Sequence, residues 1–328
     1  MTPLLETKEL SKSFGPGRSS LRRIGAALGL PPEKEQRVYA VNDVSLGVER
    51  GEVLGLVGES GCGKSTVGRL VAGLMAPSAG SIGFDGHPVL PAALETHLNI
   101  QMVFQNPYAS LNPRQRIDQV VSEAAVQHGL VGKRDAGDFA ARLMQQVGLD
   151  PSYALRYPHQ FSGGQRQRIA IARALALNPR FVVCDEAVSA LDVSVQAQIL
   201  NLFMDLRETQ GLTYLFISHN LAVVEYIADR VAIMYLGRIV ELADARSVFA
   251  RPNHPYSRAL IADAPRLDRK VTEHRPIAGE LPSPLNPPSG CAFHPRCPHA
   301  MARCSQERPL LREVAPGHQS ACHLNDMG

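Results

Sequence analysis

An α/β fold of parallel strands around a phosphate-binding loop is predicted by three features of this 328-residue chain. The first is a strand, loop and helix in the required order. Glu52-Val-Leu-Gly-Leu-Val57 is a short apolar run, Gly58-Glu-Ser-Gly-Cys-Gly-Lys-Ser65 follows it, and Lys64 to Leu74 suits a helix that ends ahead of Pro77. The second is Phe181-Val-Val-Cys-Asp-Glu186, an apolar run of the kind buried in parallel sheets, closed by two carboxylates. The third is a change of composition beyond Pro252. There, 12 of the 24 prolines and four of the six cysteines fall in the last 77 residues, so regular α/β packing is expected to stop and a small, distinct Pro- and Cys-rich module to follow.

A net charge of +3 with 20% charged residues is close to neutral and makes no electrostatic case for nucleic acid, which needs clustered Lys and Arg. The stretch from Met1 to Lys8 lacks a basic region followed by an apolar one, and no apolar run approaches ~18 residues. The chain is therefore expected to stay in the cytosol and to reach a membrane only from the side, through partners. Between Gly15 and Arg37 lies a basic, Gly- and Pro-containing stretch with Arg18, Arg22 and Arg23. It reads as a solvated insertion between two strands, with contact to lipid headgroups or a partner as the alternative.

The loop can be read residue by residue. Gly58, Gly61 and Gly63 let backbone N–H groups converge on phosphate oxygens, with Glu59, Ser60, Cys62 and Thr66 completing the segment. Lys64 supplies a point charge to the β and γ phosphates, and the Ser65 hydroxyl a ligand to Mg²⁺. Asp185 is expected as the outer-sphere Mg²⁺ partner, and Glu186 as the group that orients or deprotonates the attacking water. Phe161-Ser-Gly-Gly-Gln165 opens a second helical stretch, Arg166 to Leu175. Its N–H groups and the Ser162 hydroxyl make a second anion site, helped by the helix dipole.

Taken in order, the phosphate loop, Gln105, Phe161 to Gln165, Asp185-Glu186, Ser189-Ala-Leu-Asp192 and His219 resemble the nucleotide-binding subunits of ABC transporters, over essentially the whole chain. The resemblance implies a P-loop ATPase core over residues 1–250, a helical subdomain at about 106–178 and a C-terminal extension over 251–328. It also implies ATP and Mg²⁺ as ligands and two subunits packed head to tail. Each ATP would lie between the loop of one subunit and Ser162, Gly163, Gly164 and Gln165 of the other. Gln105 would sense Mg²⁺ and the attacking water and connect to the transmembrane partner. Asp192 would cross the dimer interface, and His219 would contact the γ-phosphate. Phe14 matches the usual position of the aromatic that stacks on adenine; Tyr39, beyond the insertion, competes with it, and core packing stays open for both rings.

Finer features are similar to the oligopeptide/dipeptide importer ATPases: Gln101 to Arg114, Val193 to Asn201 and His254 to Leu260. Asn106-Pro-Tyr-Ala-Ser110 resembles the second, F-type, of the two ATPase subunits such importers carry. Implied partners are a related but different ATPase subunit, two transmembrane permeases and, indirectly, an extracytoplasmic solute-binding protein, with the chain on the cytoplasmic face of the inner membrane. Ala187 stands where proline is common and Phe161 where leucine is; both changes spare the charged and hydrogen-bonding groups.

Cys291, Cys297, Cys304 and Cys322 are separated by five, six and seventeen residues, too far apart for the short knuckles of a zinc ribbon. Three readings remain: a [4Fe–4S] cluster, whose ligand spacing the segment resembles in peptide-importer ATPases, zinc, or reduced structural thiols. His323 is a candidate substitute ligand, whereas His294, His299 and His318 read as loop histidines. Cys62 and Cys184 read as small packing residues, with Cys62 a candidate for oxidation.

Overall fold

The computed structural model describes residues 2–15, 37–91, 93–263 and 279–326. Arg18, Arg22 and Arg23, and with them the insertion expected after Gly15, lie outside the described residues.

Two sheets face each other. The smaller is antiparallel, formed by β1 (Leu5–Phe14), β2 (Val38–Val48), β4 (Ala79–Phe84) and β5 (His87–Pro88) in the order β2-β1-β4-β5. The larger contains β3 (Val53–Val57), β6 (Ile100–Val103), β7 (Phe181–Asp185), β8 (Thr213–Ile217), β9 (Arg230–Tyr235), β10 (Arg238–Asp244), β11 (Arg312–Ala315) and β12 (His318–Ser320). Its order is β11-β12-β10-β9-β3-β8-β7-β6. From β9 through β3, β8 and β7 to β6 every pair is parallel, whereas β10, β12 and β11 add on antiparallel.

The strand sequences explain this placement. Every residue of β3, β7 and β8 is buried, as unbroken apolar runs in a sheet covered on both faces should be. Side chains alternate between two cores. Leu54, Val183, Leu215 and Ile217 face the antiparallel sheet and α1 (Lys64–Val71). Val53, Val182, Tyr214 and Phe216 face the opposite core, which holds α4 (Ile117–Gln127), α5 (Ala136–Gln146), α6 (Gly163–Leu175) and α7 (Val193–Gln210). Short helices α2 (Leu94–Asn99) and α3 (Pro107–Ser110) flank β6, and α8 (Leu221–Ile227) and α9 (Ala245–Ala250) follow β8 and β10. Helix α1 is shorter than the expected Lys64 to Leu74. It stops at Val71 because Gly73 takes φ 68°, and a Cβ there would come within 2.8 Å of Thr96.

The largest departure from expectation is the tail, which is not packed as a separate module. Helix α10 (Pro255–Asp263) places Tyr256 in the main core, where the Tyr235 and Phe293 rings pack against it at a tilt, with ring centroids 4.6 and 5.4 Å away. The short α11 (Ala302–Gln306) precedes β11 and β12, which extend the main sheet through Leu242↔Gln319 and Glu241↔Ser320. Fully buried Glu241 fastens this junction. It accepts N–H bonds from Asn253 and His254 at 2.7 and 2.8 Å and meets His318 Nε2 at 2.7 Å. His318 is thus a strand residue paired with a buried carboxylate, not a loop histidine. The expected irregularity holds only in part: the described stretch 279–301 is coil and turn apart from the single turn His294–Arg296, whereas Pro255 begins a helix and Pro316 lies in the turn between β11 and β12.

Candidate functional site

The loop leaving β3 wraps around its own lysine. Gly58 has φ 153° and Gly63 φ 111°, and a Cβ at either would fall 2.2 Å from the Met234 carbonyl oxygen or 2.0 Å from that of Ala40. Only glycine fits where the loop presses against β9 and β2. Buried Lys64 donates through Nζ to the carbonyl oxygens of Gly58 at 2.8 Å and Glu59 at 3.0 Å, so its charge sits at the loop's centre. Ser60 and Gly61 are exposed at the rim, and Ser65 and Thr66 are half-buried on the first turn of α1. Cys62 is 1% exposed, and burial pushes its thiol up, which makes it a packing residue and not a reactive thiolate. Cys184, fully buried on β7, is raised for the same reason.

Asp185 ends β7 beside this loop. Its Oδ1 accepts the Ser65 hydroxyl at 2.7 Å. Burial pushes its carboxyl above the usual range, and the Ser65 bond and Arg69 only partly offset that. A hydroxyl that would ligate Mg²⁺ thus stands beside a carboxylate that would accept from it or from the ion's waters, hard oxygen donors that suit that ion. One expectation follows for Asp185→Asn. A raised carboxyl stabilises the fold fully below the unfolded value and loses that contribution as pH rises through the folded one. Asn, always neutral, should therefore match wild type at low pH and unfold at higher temperature than wild type at neutral pH. The same variant should lose the stabilisation by Mg·ATP, about 2.7 kcal/mol at a hundredfold over Kd. Thermal unfolding at two pH values, with and without Mg·ATP, checks both.

Glu186 follows with φ 51°, a left-handed conformation uncommon for a non-glycine residue and often found at functional sites. Its N–H donates to the Ile217 carbonyl at 2.9 Å, tying it to the end of β8. Three side chains converge on it. Gln105 Nε2 donates to Oε2 at 2.8 Å, His219 Nδ1 lies 3.3 Å from Oε1, and the Ser189 hydroxyl donates to the Glu186 carbonyl at 2.9 Å. Gln105 also reaches Ser189 Oγ at 3.3 Å. Residues from the C-terminal ends of β6, β7 and β8 thus meet at one edge of the sheet, as ligand sites of open α/β sheets do. Ser189 belongs to a motif legible in the sequence, but its role as a brace for Glu186 and Gln105 is visible only in space.

Ser162 caps α6. Its Oγ accepts the Gln165 N–H at 3.3 Å while Gln165 Oε1 accepts the Ser162 N–H at 2.9 Å. Ser162 and Gly163 are exposed; Gly164 is buried, where a Cβ would strike Val195 Cγ1 at 2.4 Å. Asp192 caps α7 by accepting the Val195 N–H at 3.0 Å, which holds its carboxyl below the usual range, and the neighbouring Val193 is 82% exposed. Phe14 and Tyr39 lie on adjacent strands, through the pairs Phe14↔Val38 and Ser13↔Tyr39, and are 43% and 44% exposed. Neither is core packing, and Lys12 Nζ lies 5.4 Å from the Phe14 ring centroid.

Cys291, Cys297 and Cys322 are half-buried and Cys304 buried; all four are free thiols. Burial, together with the neighbouring thiols, pushes Cys291 up to about 11. Among the described residues no group of three or more His, Cys, Asp or Glu side chains closes tightly enough to hold a metal ion. No chemistry is routed through these thiols. His323 is not a substitute ligand: buried, its Nε2 lies 2.9 Å from the Glu307 carbonyl and its Nδ1 faces Asp326. His294 Nδ1 lies 2.9 Å from the Cys291 carbonyl.

Comparison with known proteins agrees with this geometry. The ABC transporter family model matches residues 41–189, and that of the oligopeptide/dipeptide transporter C-terminal region matches 240–304, starting inside β10 and crossing the Pro252 boundary. The oligopeptide transport ATP-binding protein AppF of Bacillus subtilis is 47% identical over 98% of this chain and 97% of its own. A probable peptide ABC transporter ATP-binding protein of Sinorhizobium fredii is 52% identical over 88% and 83%. A solved dimeric ATP-binding cassette, in a post-hydrolysis state with ADP and Pi bound, superposes with a TM-score of 0.62 at 25% identity, covering 74% of this chain and 99% of that one. Among the described residues no helix is long and apolar enough to cross a membrane. The chain belongs to the ABC transporter ATP-binding proteins, within the group that carries the oligopeptide/dipeptide transporter C-terminal region.

Proposed function

We propose that this chain hydrolyses ATP to drive uptake of di- or oligopeptides, as the peripheral subunit of an importer on the cytoplasmic face of the membrane. The observation that carries the reading is the cluster of Gln105, His219 and Ser189 on Glu186, next to a phosphate loop centred on Lys64. In this reading Lys64 turns from the loop carbonyls to the β and γ phosphates. Glu186 accepts a proton from the attacking water or orients it. Gln105 and His219 hold the Glu186 carboxylate in place and face the γ-phosphate. Mg²⁺, held by Ser65 and Asp185, would neutralise phosphate charge. Phe14 or Tyr39 would stack on adenine.

The second half of the nucleotide site is assigned to another subunit. Ser162 and Gly163 are exposed at a helix N-terminus, and Val193 stands bare beside Asp192, as befits a surface that a partner covers. The dimeric cassette similar to this chain supports such pairing. We assign a related, non-identical ATPase as the partner, two permeases reached through the Gln105 segment, and an extracytoplasmic binding protein that delivers peptide. The limits 1–250 for the ATPase part and 251–328 for the C-terminal extension belong to this reading, with β10 and β12 pairing across them. The iron–sulfur reading of Cys291, Cys297, Cys304 and Cys322 rests on their sequence spacing.

Affinity purification from detergent-solubilised native membranes without oxygen tests the assembly. Two multi-span permeases and a second ATPase are expected in the co-purified set. Recovery of soluble DNA-repair or ribosomal proteins instead would leave the ATPase chemistry standing and overturn the transport role.

A further inference from the structure

Glu59 places a carboxylate inside a loop whose task is to hold a polyanion. Three contacts manage that residue. Arg296 Nη1 lies 3.1 Å from Glu59 Oε1 and 3.0 Å from Oε2; the side chains are 6% and 23% exposed. The Glu59 N–H donates to the fully buried Tyr256 hydroxyl at 2.9 Å, and its carbonyl accepts Lys64 Nζ at 3.0 Å. The same Arg296 nitrogen donates to Tyr235 Oη at 3.4 Å, and the guanidinium carbon lies 5.9 Å from that ring's centroid. Arg296 therefore bridges β9 and the phosphate loop, although it lies 237 residues beyond Glu59, in the single turn His294–Arg296 of the C-terminal segment.

We infer that Arg296 is a positioning residue of the nucleotide site, which cancels the Glu59 charge within the phosphate loop and, with Tyr256, fixes the loop's first turn. The inference rests on the assignment of Gly58 to Ser65 as the nucleotide loop. It makes the C-terminal segment part of the ATP-binding apparatus, a role beyond bracing the sheet edge. The physical reason is electrostatic. Partly buried charges are weakly screened, so an unpaired carboxylate in this loop repels the triphosphate that the loop must hold. Removing one partner of a buried pair leaves an uncompensated charge, whereas removing both does not.

A double-mutant cycle in the purified transporter complex, read by Mg·ATP titration and by KM and kcat, separates charge cancellation from mere support. Arg296→Gln should weaken ATP binding about tenfold or more and raise KM with little change in kcat, the signature of lost uniform binding. Arg296→Lys should keep most of the affinity. Glu59→Gln with Arg296→Gln should recover most of the loss, because no unpaired charge remains. Wild-type affinity in Arg296→Gln, or a double variant as weak as the single one, would overturn the inference. Should Arg296→Gln alone not fold, the double variant is compared with wild type. Affinity within about threefold of wild type supports the inference, and a loss of about tenfold or more refutes it. Lys64→Ala, measured alongside, reports on the nucleotide loop itself: ATP binding unchanged in that variant would sink the underlying assignment, whatever Arg296 does.

Discussion

Glu186→Gln should retain ATP binding and lose about 10²–10⁴-fold in turnover, the range expected when a general base or water-positioning carboxylate is removed. The geometry makes the separation of the two effects sharp. Among the described residues Glu186 makes no bond to the phosphate loop; its partners are Gln105, His219, Ser189 and the Ile217 carbonyl, at and just beyond the C-terminal ends of β6, β7 and β8. Gln keeps the size and can still meet Gln105, but it cannot take a proton. Steady-state turnover in the assembled complex, with nucleotide affinity measured separately, checks the assignment. Turnover near wild type would refute it and move the catalytic role to another group.

Lys64→Ala should act at the other step. Its ammonium is buried at the centre of the loop, held by two carbonyl oxygens. Losing one partner of a desolvated charge contact costs about 2–5 kcal/mol, or at least about thirtyfold in ATP affinity. Nucleotide titration reads this directly. Strong binding by the Lys64→Ala protein would mean that the loop's backbone N–H groups suffice and that the lysine is not the principal phosphate anchor.

The parts of this site that were legible in the sequence share a cause. Strands buried on both faces read as continuous apolar runs, so Val53–Val57 and Phe181–Asp185 stood out, and the chemistry hangs from their ends. Loops that need glycine announce themselves, as at Gly58 and Gly63. What stayed hidden was non-local or short. Arg312–Ala315 and His318–Ser320 have four and three residues with no apolar alternation, and only the edge of β10 makes strands of them. The Arg296–Glu59 pair could not be read from spacing, because no local period links the ends of a long chain. Tyr256 carried a family resemblance in the sequence, yet its contact with the Glu59 N–H was not foreseeable from that motif. Gly73, not Pro77, ended α1, since a left-handed glycine closes a helix sooner than a distant proline does.

Electrostatics separates the two acids at the end of β7. Asp185 is buried, is hydrogen-bonded by Ser65 and has its carboxyl raised, so a cation suits it. Glu186 faces the groups that would surround water and phosphate. Adjacent carboxylates thus take different tasks because one points into the loop and the other across the strand ends.

The most direct test of the central claim is uptake of labelled di- and oligopeptides by cells lacking this chain, complemented with wild type or with Glu186→Gln. Uptake should vanish in the deletion, return with wild type and remain absent with Glu186→Gln, although that protein still binds ATP. Peptide uptake that persists without the chain, or that Glu186→Gln restores in full, would contradict an ATPase that powers peptide import through Glu186.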